Sequence, residues 1–560
     1  MFPARQASGA TTLAAPVGRS ALVLFAAAGE TQLAAVPGLS VGILSAAQGQ
    51  YSPAQFLLDI TQGARVSTSS YPHPTPPTLS LRLSDAGAVL AGWPAARARA
   101  EDAPQLLAPG LLASQVPGGA GYVGIAGEAN LDGLLAADRA GRIARVSLGP
   151  ASTLLARVDD LRRRGRLLVA DLPAGAQGLA DLSALSAGRP AGELLIVLQR
   201  AGEAPGNELL WTAAAGLSGG GARELSSQST NERGLVASFD VAPTILAYLG
   251  LAIPADMRGK PIVTDGPLRS ASLRALMDRL HVIGPRRLKA FGFLLCAWLA
   301  LLGVSALWPD ARARGWAMRT GALGVLWAPV VALVPAAIEP SAPVEYAIVA
   351  LACLALGALT DALVRWPRAP LVPAVVAVVA LTADALAGTQ LLMRSLLGPD
   401  PILGARFYGI GNELKSGLAV LVAAAVAAAL YPAVRGRRAA LGMAGAGVVL
   451  AVVEGSARIG AGVGGVILVS FAFALATALL APGALTRRRS LTVLITPVLA
   501  LVALALLDLA TAHGAGHFTG SVLHVRSAGD LRDIIVRRYG AAWDELHNHL
   551  MPVASAVALA

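Results

Sequence analysis

The stretch Gly234-Leu-Val-Ala-Ser-Phe-Asp-Val-Ala-Pro-Thr-Ile-Leu-Ala-Tyr-Leu-Gly250 predicts one well-delimited helix, and Pro254-Ala-Asp-Met-Arg-Gly259-Lys-Pro-Ile follows shortly after it. Asp240 can cap the start of the helix, Pro243 suits its first turn, and one face is apolar at Ile245, Leu246 and Leu249. Gly250 suits the C-terminal cap, and a proline lies just beyond it. Because helix capping and packing explain these residues, we interpret the stretch as a structural part of its domain that has no direct role in catalysis.

An Asp-x-x-Pro-Thr-x-Leu helix followed by Leu-Gly, Pro and Met-x-Gly resembles the end of the catalytic domain in alkaline-phosphatase-like folds. That superfamily also contains sulfatases and cofactor-independent phosphoglycerate mutases. Residues 48–66, 121–128 and 229–236 further resemble bacterial membrane proteins that join such a domain to a multi-span region. The resemblance implies an α/β domain that is related to enzymes acting on phosphate or sulfate esters.

The composition predicts an integral membrane protein. Of the 560 residues, 55% are hydrophobic and only 14% are charged, which is too apolar for an ordinary soluble protein. Apolar runs of spanning length begin after about residue 288 and continue to about residue 512. We predict eight spans, near residues 290–308, 320–338, 344–364, 370–390, 414–432, 439–454, 461–482 and 491–511.

The basic residues of the short loops predict the orientation of these spans. Arginines concentrate in every second loop, at Arg312, Arg314, Arg319, Arg365, Arg368, Arg435, Arg437, Arg438, Arg487, Arg488 and Arg489. The positive-inside rule places those loops in the cytoplasm and residues 1–288 outside it. Arg286, Arg287 and Lys289 precede the first span and oppose this assignment, but four consistent loops outweigh them.

Charge and cysteine content exclude several classes of protein. The net charge of +11 lies largely in the predicted cytoplasmic loops, so it indicates contact with anionic lipid headgroups. It does not indicate nucleic-acid binding, because no surface that combines aromatic and basic residues accompanies it. Cys296 and Cys353 both fall in predicted spans, which leaves neither a disulfide framework nor a cysteine-based metal motif. The lipid bilayer is therefore the predicted partner.

The pattern divides the chain into four segments. Residues 1–17 are a predicted flexible N-terminus, 18–288 an extracytoplasmic α/β domain with a mostly parallel sheet, and 289–512 a transmembrane helical domain. Residues 513–560 carry a predicted interfacial helix and then an apolar run that we interpret as the start of a truncated ninth span. Within the α/β domain we predict strands at 21–25, 41–44, 122–125, 144–148, 167–170, 194–198 and 209–212, and helices at 151–164, 241–250 and 268–281.

Catalysis in the resembled superfamily requires two metals held by Asp and His, with a Ser or Thr nucleophile between them. Here Ala26–Ala28 follow the first strand, and Gln199 and Arg200 follow a later strand where the resemblance implies Asp-His. The domain contains only His73 and His281. We therefore expect an inactive domain without a metal cofactor. Two alternatives stay open: an acid-only Mg²⁺ or Mn²⁺ site that uses acids such as Asp59, Asp171 and Asp240, and an active metal-dependent phosphatase or phosphotransferase.

The predicted orientation collects a second group of polar residues at the outer membrane face. They are Asp384, Arg406, Tyr408, Asn412, Glu413, Lys415, Glu454, Arg458, Asp508, His513 and His517. Ionisable groups at membrane depth indicate function by default, and we predict a site for a lipid-linked or phosphorylated envelope substrate. The alternative is a set of solvated loop groups in which Glu413 pairs with Arg406 and Glu454 with Arg458. A transporter is less favoured, because transporter sites lie near the midplane.

Overall fold

The computed structural model describes residues 18–511, apart from 51, 72, 86, 104, 203–208, 218–220, 405, 431–435, 457–458 and 461–462. The described chain forms two compact units. The first contains residues 18–273 and Ile402–Gly404, and the second contains Arg274–Pro401 and residues 406–511.

The first unit is built on a large mixed sheet. Its thirteen described strands, including those of a small second sheet, are β1 (Ser20–Ala26), β2 (Ser40–Ser45), β3 (Ser80–Ser84), β4 (Gly87–Ala91), β5 (Ala120–Ile125), β6 (Arg142–Ile143), β7 (Arg145–Gly149), β8 (Leu167–Asp171), β9 (Glu193–Gln199), β10 (Leu209–Ala215), β11 (Arg223–Ser227), β12 (Leu235–Ala237) and β13 (Ile262–Pro267). The large sheet has the order β13-β11-β2-β10-β9-β1-β8-β5-β7, with β12 on β2, and the small antiparallel sheet has the order β3-β4-β6.

Most neighbours in the large sheet are parallel, which confirms the predicted α/β class. Strand β1 pairs in parallel with both β8 and β9, whereas β10 is antiparallel to β9 and β2. All seven predicted strands are present. Strands β1, β8 and β9 were recognisable because a strand of a mostly parallel sheet that is covered on both faces reads as a continuous apolar run, as in Leu22 to Phe25, which are fully buried.

Seven helices of the first unit connect or cover the strands. They are α1 (Glu30–Ala34), α2 (Pro53–Gln62), α3 (Trp93–Glu101), α4 (Leu111–Gln115), α5 (Leu154–Arg162), α6 (Ala176–Ala187) and α7 (Val241–Tyr248). Apolar clusters form the core on each side of the sheet; one contains α2 and α7, the other α5 and α6. The helix predicted at 151–164 is a 3₁₀ turn at Ala151–Thr153 that continues as α5.

Helix α7 is the helix of the opening stretch, and its end follows the prediction. Gly250 adopts φ +70° directly after the last turn, and the Leu251 amide donates to the Leu246 carbonyl oxygen at 2.9 Å. Its start differs, because the Asp240 side chain bonds no amide of α7. One Asp240 oxygen instead accepts from the Ala237 amide, at the preceding 3₁₀ turn. Asp240 therefore stabilises the 3₁₀ turn that precedes α7.

Ten further helices are described, and together they contain the apolar runs that follow about residue 288. They are α8 (Ser270–Ala306), α9 (Ala311–Val331), α10 (Leu333–Ile338), α11 (Ala342–Leu363), α12 (Leu371–Leu386), α13 (Gln390–Arg394), α14 (Asn412–Leu430), α15 (Arg437–Gly455), α16 (Val463–Leu480) and α17 (Arg487–Thr511). The helix predicted at 268–281 and the span predicted at 290–308 form one helix, α8, which contains Pro285.

Within the described residues, six helical segments are long and apolar enough to cross a membrane, which supports a multi-pass membrane protein. They are Ser270–Ala306, Ala311–Ile338, Ala342–Leu363, Asn412–Leu430, Arg437–Gly455 and Arg487–Leu506. The two other predicted spans correspond to shorter apolar helices, Leu371–Leu386 and Gly464–Leu480. The topology of eight spans therefore stays a prediction.

Candidate functional site

Small apolar side chains occupy the place where the resemblance implies the first metal ligand. Ala26 ends β1 and is buried, as is Ala28. Directly after β9, the Arg200 guanidinium contacts Asp132 at 2.9 Å and Asp171 at 3.7 Å. An arginine among the acids repels a divalent cation, so this edge of the sheet carries an internal ion-pair cluster.

Asp171, Asp59 and Asp240, the three acids considered for a metal site, each have their own hydrogen-bond partners. Asp171 accepts from the Tyr122 hydroxyl at 2.7 Å, and Asp59 accepts from Gln55 at 2.8 Å. Burial raises the pKa of Asp171 well above its usual range and raises that of Asp59 to about 7. Among the described residues, no group of three or more His, Cys, Asp or Glu side chains is placed to hold a metal ion.

In the second unit, Lys415 is more deeply buried than Arg406, the other predicted outer-face Arg or Lys among the described residues. It lies in the first turn of α14 with 1% of its surface exposed. Its ammonium group donates to the Gly460 carbonyl oxygen at 2.6 Å. A lysine is almost never fully buried unless it is paired, so its contact with a neutral acceptor is unusual.

Arg406 reaches the same carbonyl oxygen. Its Nη1 donates to Gly460 O at 2.8 Å and to Ile410 O at 3.1 Å, and its Nη2 approaches Asn412 Oδ1 at 3.5 Å. Within the described residues, no carboxylate oxygen lies within the 4.0 Å salt-bridge distance of Arg406 or Lys415. Two cations therefore converge on one neutral acceptor.

Glu454 completes this group from the last turn of α15. The side chain is fully buried, and neither carboxylate oxygen has a hydrogen-bond donor in the described part of the chain. A β-carbon on Gly465 would lie 2.5 Å from Glu454 Oε2 and 2.8 Å from Lys415 Cδ. Both side chains thus pack against Gly465. They fit there because glycine has no β-carbon.

The remaining predicted residues have other roles in the structure. Asp384 accepts from the amides of Leu391 and Leu392 at 2.9 and 2.8 Å, so it stabilises the start of α13. The predicted pairing of Glu413 with Arg406 is wrong: Glu413 is 86% exposed and lies 3.6 Å from Arg287. Tyr408 is half-buried near Arg406. Three residues, Arg458, His513 and His517, and the side chain of Asp508, lie outside the described residues.

Sequence reasoning missed a buried ion-pair cluster at the same end of the spans. Glu345, in the first turn of α11, is fully buried and accepts from Arg279 at 2.7 Å and from Arg286 at 2.9 Å. Arg394 pairs with Glu339. Arg286 precedes the first predicted span, at the end of the spans opposite the basic loops. Its ion pair with Glu345 explains how a basic residue can lie there. The available signal was Glu345 itself, a carboxylate at the start of an apolar run.

Neither a scan against models of protein families nor a search of curated proteins gives a match to this chain.

Proposed function

We propose that the second unit binds the anionic group of a lipid-linked or phosphorylated envelope substrate where Arg406, Lys415 and Glu454 converge. The observation that carries this proposal is the approach of Arg406 and Lys415 to the Gly460 carbonyl oxygen without a carboxylate partner among the described residues. In the predicted orientation this end of the spans faces the outer leaflet, and the first unit lies outside the cytoplasm.

The electrostatic argument follows from the cost of burying charge. A buried cation is destabilising unless an opposite charge and hydrogen bonds compensate it. Arg406 and Lys415 contribute two positive charges, and Glu454 contributes at most one negative charge. A phosphate or pyrophosphate group would supply the missing negative charge, and Arg and Lys are the usual ligands of such groups.

Glu454 is the candidate acid or base of this site. Its two oxygens have no hydrogen-bond donor in the described part of the chain, yet they lie beside the glycine that Lys415 also contacts. A carboxylate that is not engaged by the fold can accept a proton from a bound substrate or donate one to it. We assign Arg406 and Lys415 to binding and Glu454 to proton transfer.

For the first unit we propose a non-catalytic relative of the alkaline-phosphatase-like domains that serves the second unit. Supporting observations are the buried Ala26 at the end of β1, the buried Ala28 just beyond it, and the Arg200 guanidinium among the acids of the sheet edge. Metal analysis of the purified chain, with turnover of a generic phosphomonoester, tests this assignment. Bound metal together with turnover that Asp171→Asn abolishes would establish the alternative, an active phosphatase.

The binding proposal is tested with the full chain in nanodiscs and a photoreactive polyprenyl phosphate, with the uncharged polyprenol as reference. Loss of one charged hydrogen bond corresponds to roughly ten-fold or more in affinity. We expect Arg406→Gln and Lys415→Met each to lower labelling by polyprenyl phosphate by that factor. Glu413→Gln is the control, because Glu413 begins the same helix but is exposed. Labelling that is unchanged in both folded variants would contradict the proposal.

A further inference from the structure

A cleft of about 380 Å³ lies among α15, α16 and α17 in the second unit. Its walls are almost entirely apolar, and small side chains such as Ala444, Ala474 and Ala478 leave the space open. The lining runs along the C-terminal half of α16 and the N-terminal half of α17. It therefore lies toward the end of the helices opposite Glu454.

Helices α15 and α16 are held close together beside this cleft. A β-carbon on Gly447 would lie 2.5 Å from Phe473 Cβ, so only glycine permits this approach of the two helices. Phe473 is buried and forms part of the cleft wall. The cleft thus has one firmly packed wall, and its volume falls in the range of ligand-binding pockets.

The polar end of the cleft is formed by Arg489. Its guanidinium donates to the carbonyl oxygens of Pro482, Gly483 and Ala484, at 2.7 to 3.4 Å. Arg487 and Arg488 precede it at the start of α17. Within the described residues, no ion pair joins these three arginines to a carboxylate. The end of the cleft is therefore positively charged and its interior is apolar.

We propose that this cleft binds an acyl chain of an anionic phospholipid, whose phosphate lies beside Arg489. An acyl chain matches the long apolar interior, and a lipid phosphate supplies the negative charge that the arginines lack. Predicted topology places this end in the cytoplasmic leaflet, where anionic lipids are attracted to basic segments. The lipid site is separate from the proposed substrate site and does not depend on it.

Native mass spectrometry of the full chain tests the proposal, with phosphatidylglycerol and phosphatidylcholine of the same acyl chains as probes. Ala474→Phe fills the cleft, and we expect it to lower binding of both lipids by roughly ten-fold or more. Leu479→Phe is the control, because Leu479 lies on the same half of α16 but is exposed and is not part of the cleft wall. If Ala474→Phe fails to fold, Ala478→Leu makes the same test with a smaller side chain.

The headgroup contact is tested separately. We expect Arg489→Gln to reduce the preference for phosphatidylglycerol by roughly five-fold, Arg489→Lys to retain most of it, and the exposed Arg312→Gln to leave it unchanged. Soluble glycerophosphate and inorganic phosphate should not compete, since they lack the acyl chain. Equal binding of both lipids by the wild-type chain, competition by inorganic phosphate, or equal binding by Ala474→Phe and Leu479→Phe would overturn the proposal.

Discussion

Asp240 in the first unit and Glu454 in the second are both fully buried acids, but their surroundings differ. Asp240 accepts hydrogen bonds from Ser227, Ser229 and the amides of Ala237 and Lys260. Glu454 has no hydrogen-bond donor in the described part of the chain. A buried acid whose hydrogen bonds are satisfied by its own fold is part of the scaffold, whereas one that the fold leaves unengaged is a candidate for function.

The same contrast separates the ion-paired cations of both units from Arg406 and Lys415. Arg200 contacts two carboxylates, and Arg279 contacts one that is fully buried. Arg406 and Lys415 share a carbonyl oxygen instead. Charge compensation within the fold therefore distinguishes structural arginines from those that we assign to substrate binding.

The largest expected effect is the loss of stability on Asp240→Ala. Four donors would lose their acceptor inside the first unit, which costs on the order of 4 to 5 kcal/mol in the free energy of unfolding. Hydrogen exchange of first-unit peptides in the full chain measures this change. A loss below about 1 kcal/mol would show that Asp240 is not a structural residue. The contrast between Asp240 and Glu454 would then be wrong.

Asp59 should make the stability of the first unit depend on pH. Burial is the largest cause that raises its pKa to about 7 from 3.8, so its contribution is fully present below about pH 4 and is lost as pH rises through about 7. The shift corresponds to at most about 4 kcal/mol. Denaturant midpoints measured by pulsed hydrogen exchange should fall between pH 4 and 7, and Asp59→Asn should reduce that slope, leaving the part that other buried acids such as Asp171 contribute. An identical slope in the variant would contradict the assignment.

Gly465→Ala should disturb the candidate site by crowding Glu454 and Lys415. Its β-carbon would lie within 2.8 Å of both side chains, whereas a β-carbon on Gly464 would meet nothing within 4 Å. Overpacking costs about 1 to 3 kcal/mol, so we expect polyprenyl phosphate labelling to fall about ten-fold in Gly465→Ala only. Equal labelling of the two variants would show that the geometry around Gly465 is irrelevant to binding.

The smallest expected change in stability is that of Glu454→Gln. Because Glu454 accepts no hydrogen bond in the described part of the chain, its replacement by a neutral side chain of similar size should alter the thermal unfolding free energy by less than about 1 kcal/mol. Substrate processing by the variant should nevertheless be lost, and its pH profile should lose one ionisation. Strong destabilisation would instead assign Glu454 to the scaffold, like Asp240.

Much of the architecture could be predicted because local patterns carry it. The continuous apolar runs of β1, β8 and β9 predict buried parallel strands, and the long apolar runs after residue 288 predict membrane helices. Strands β11 and β13 were missed because polar residues such as Arg223, Glu224 and Asp265 interrupt them. The helix predicted at 268–281 and the span predicted at 290–308 are joined in α8, because the helix continues through the charged residues and Pro285 between them.

The candidate site could be predicted only in part. The sequence by itself determined which ionisable residues adjoin the ends of the spans, because charge and hydropathy are properties of each residue and its neighbours along the chain. Tertiary structure decided which of them meet: Lys415 and Glu454 are brought to one glycine, Arg406 to the Gly460 carbonyl, and Glu413 toward Arg287. Such contacts depend on helix packing between distant segments, which no local pattern encodes.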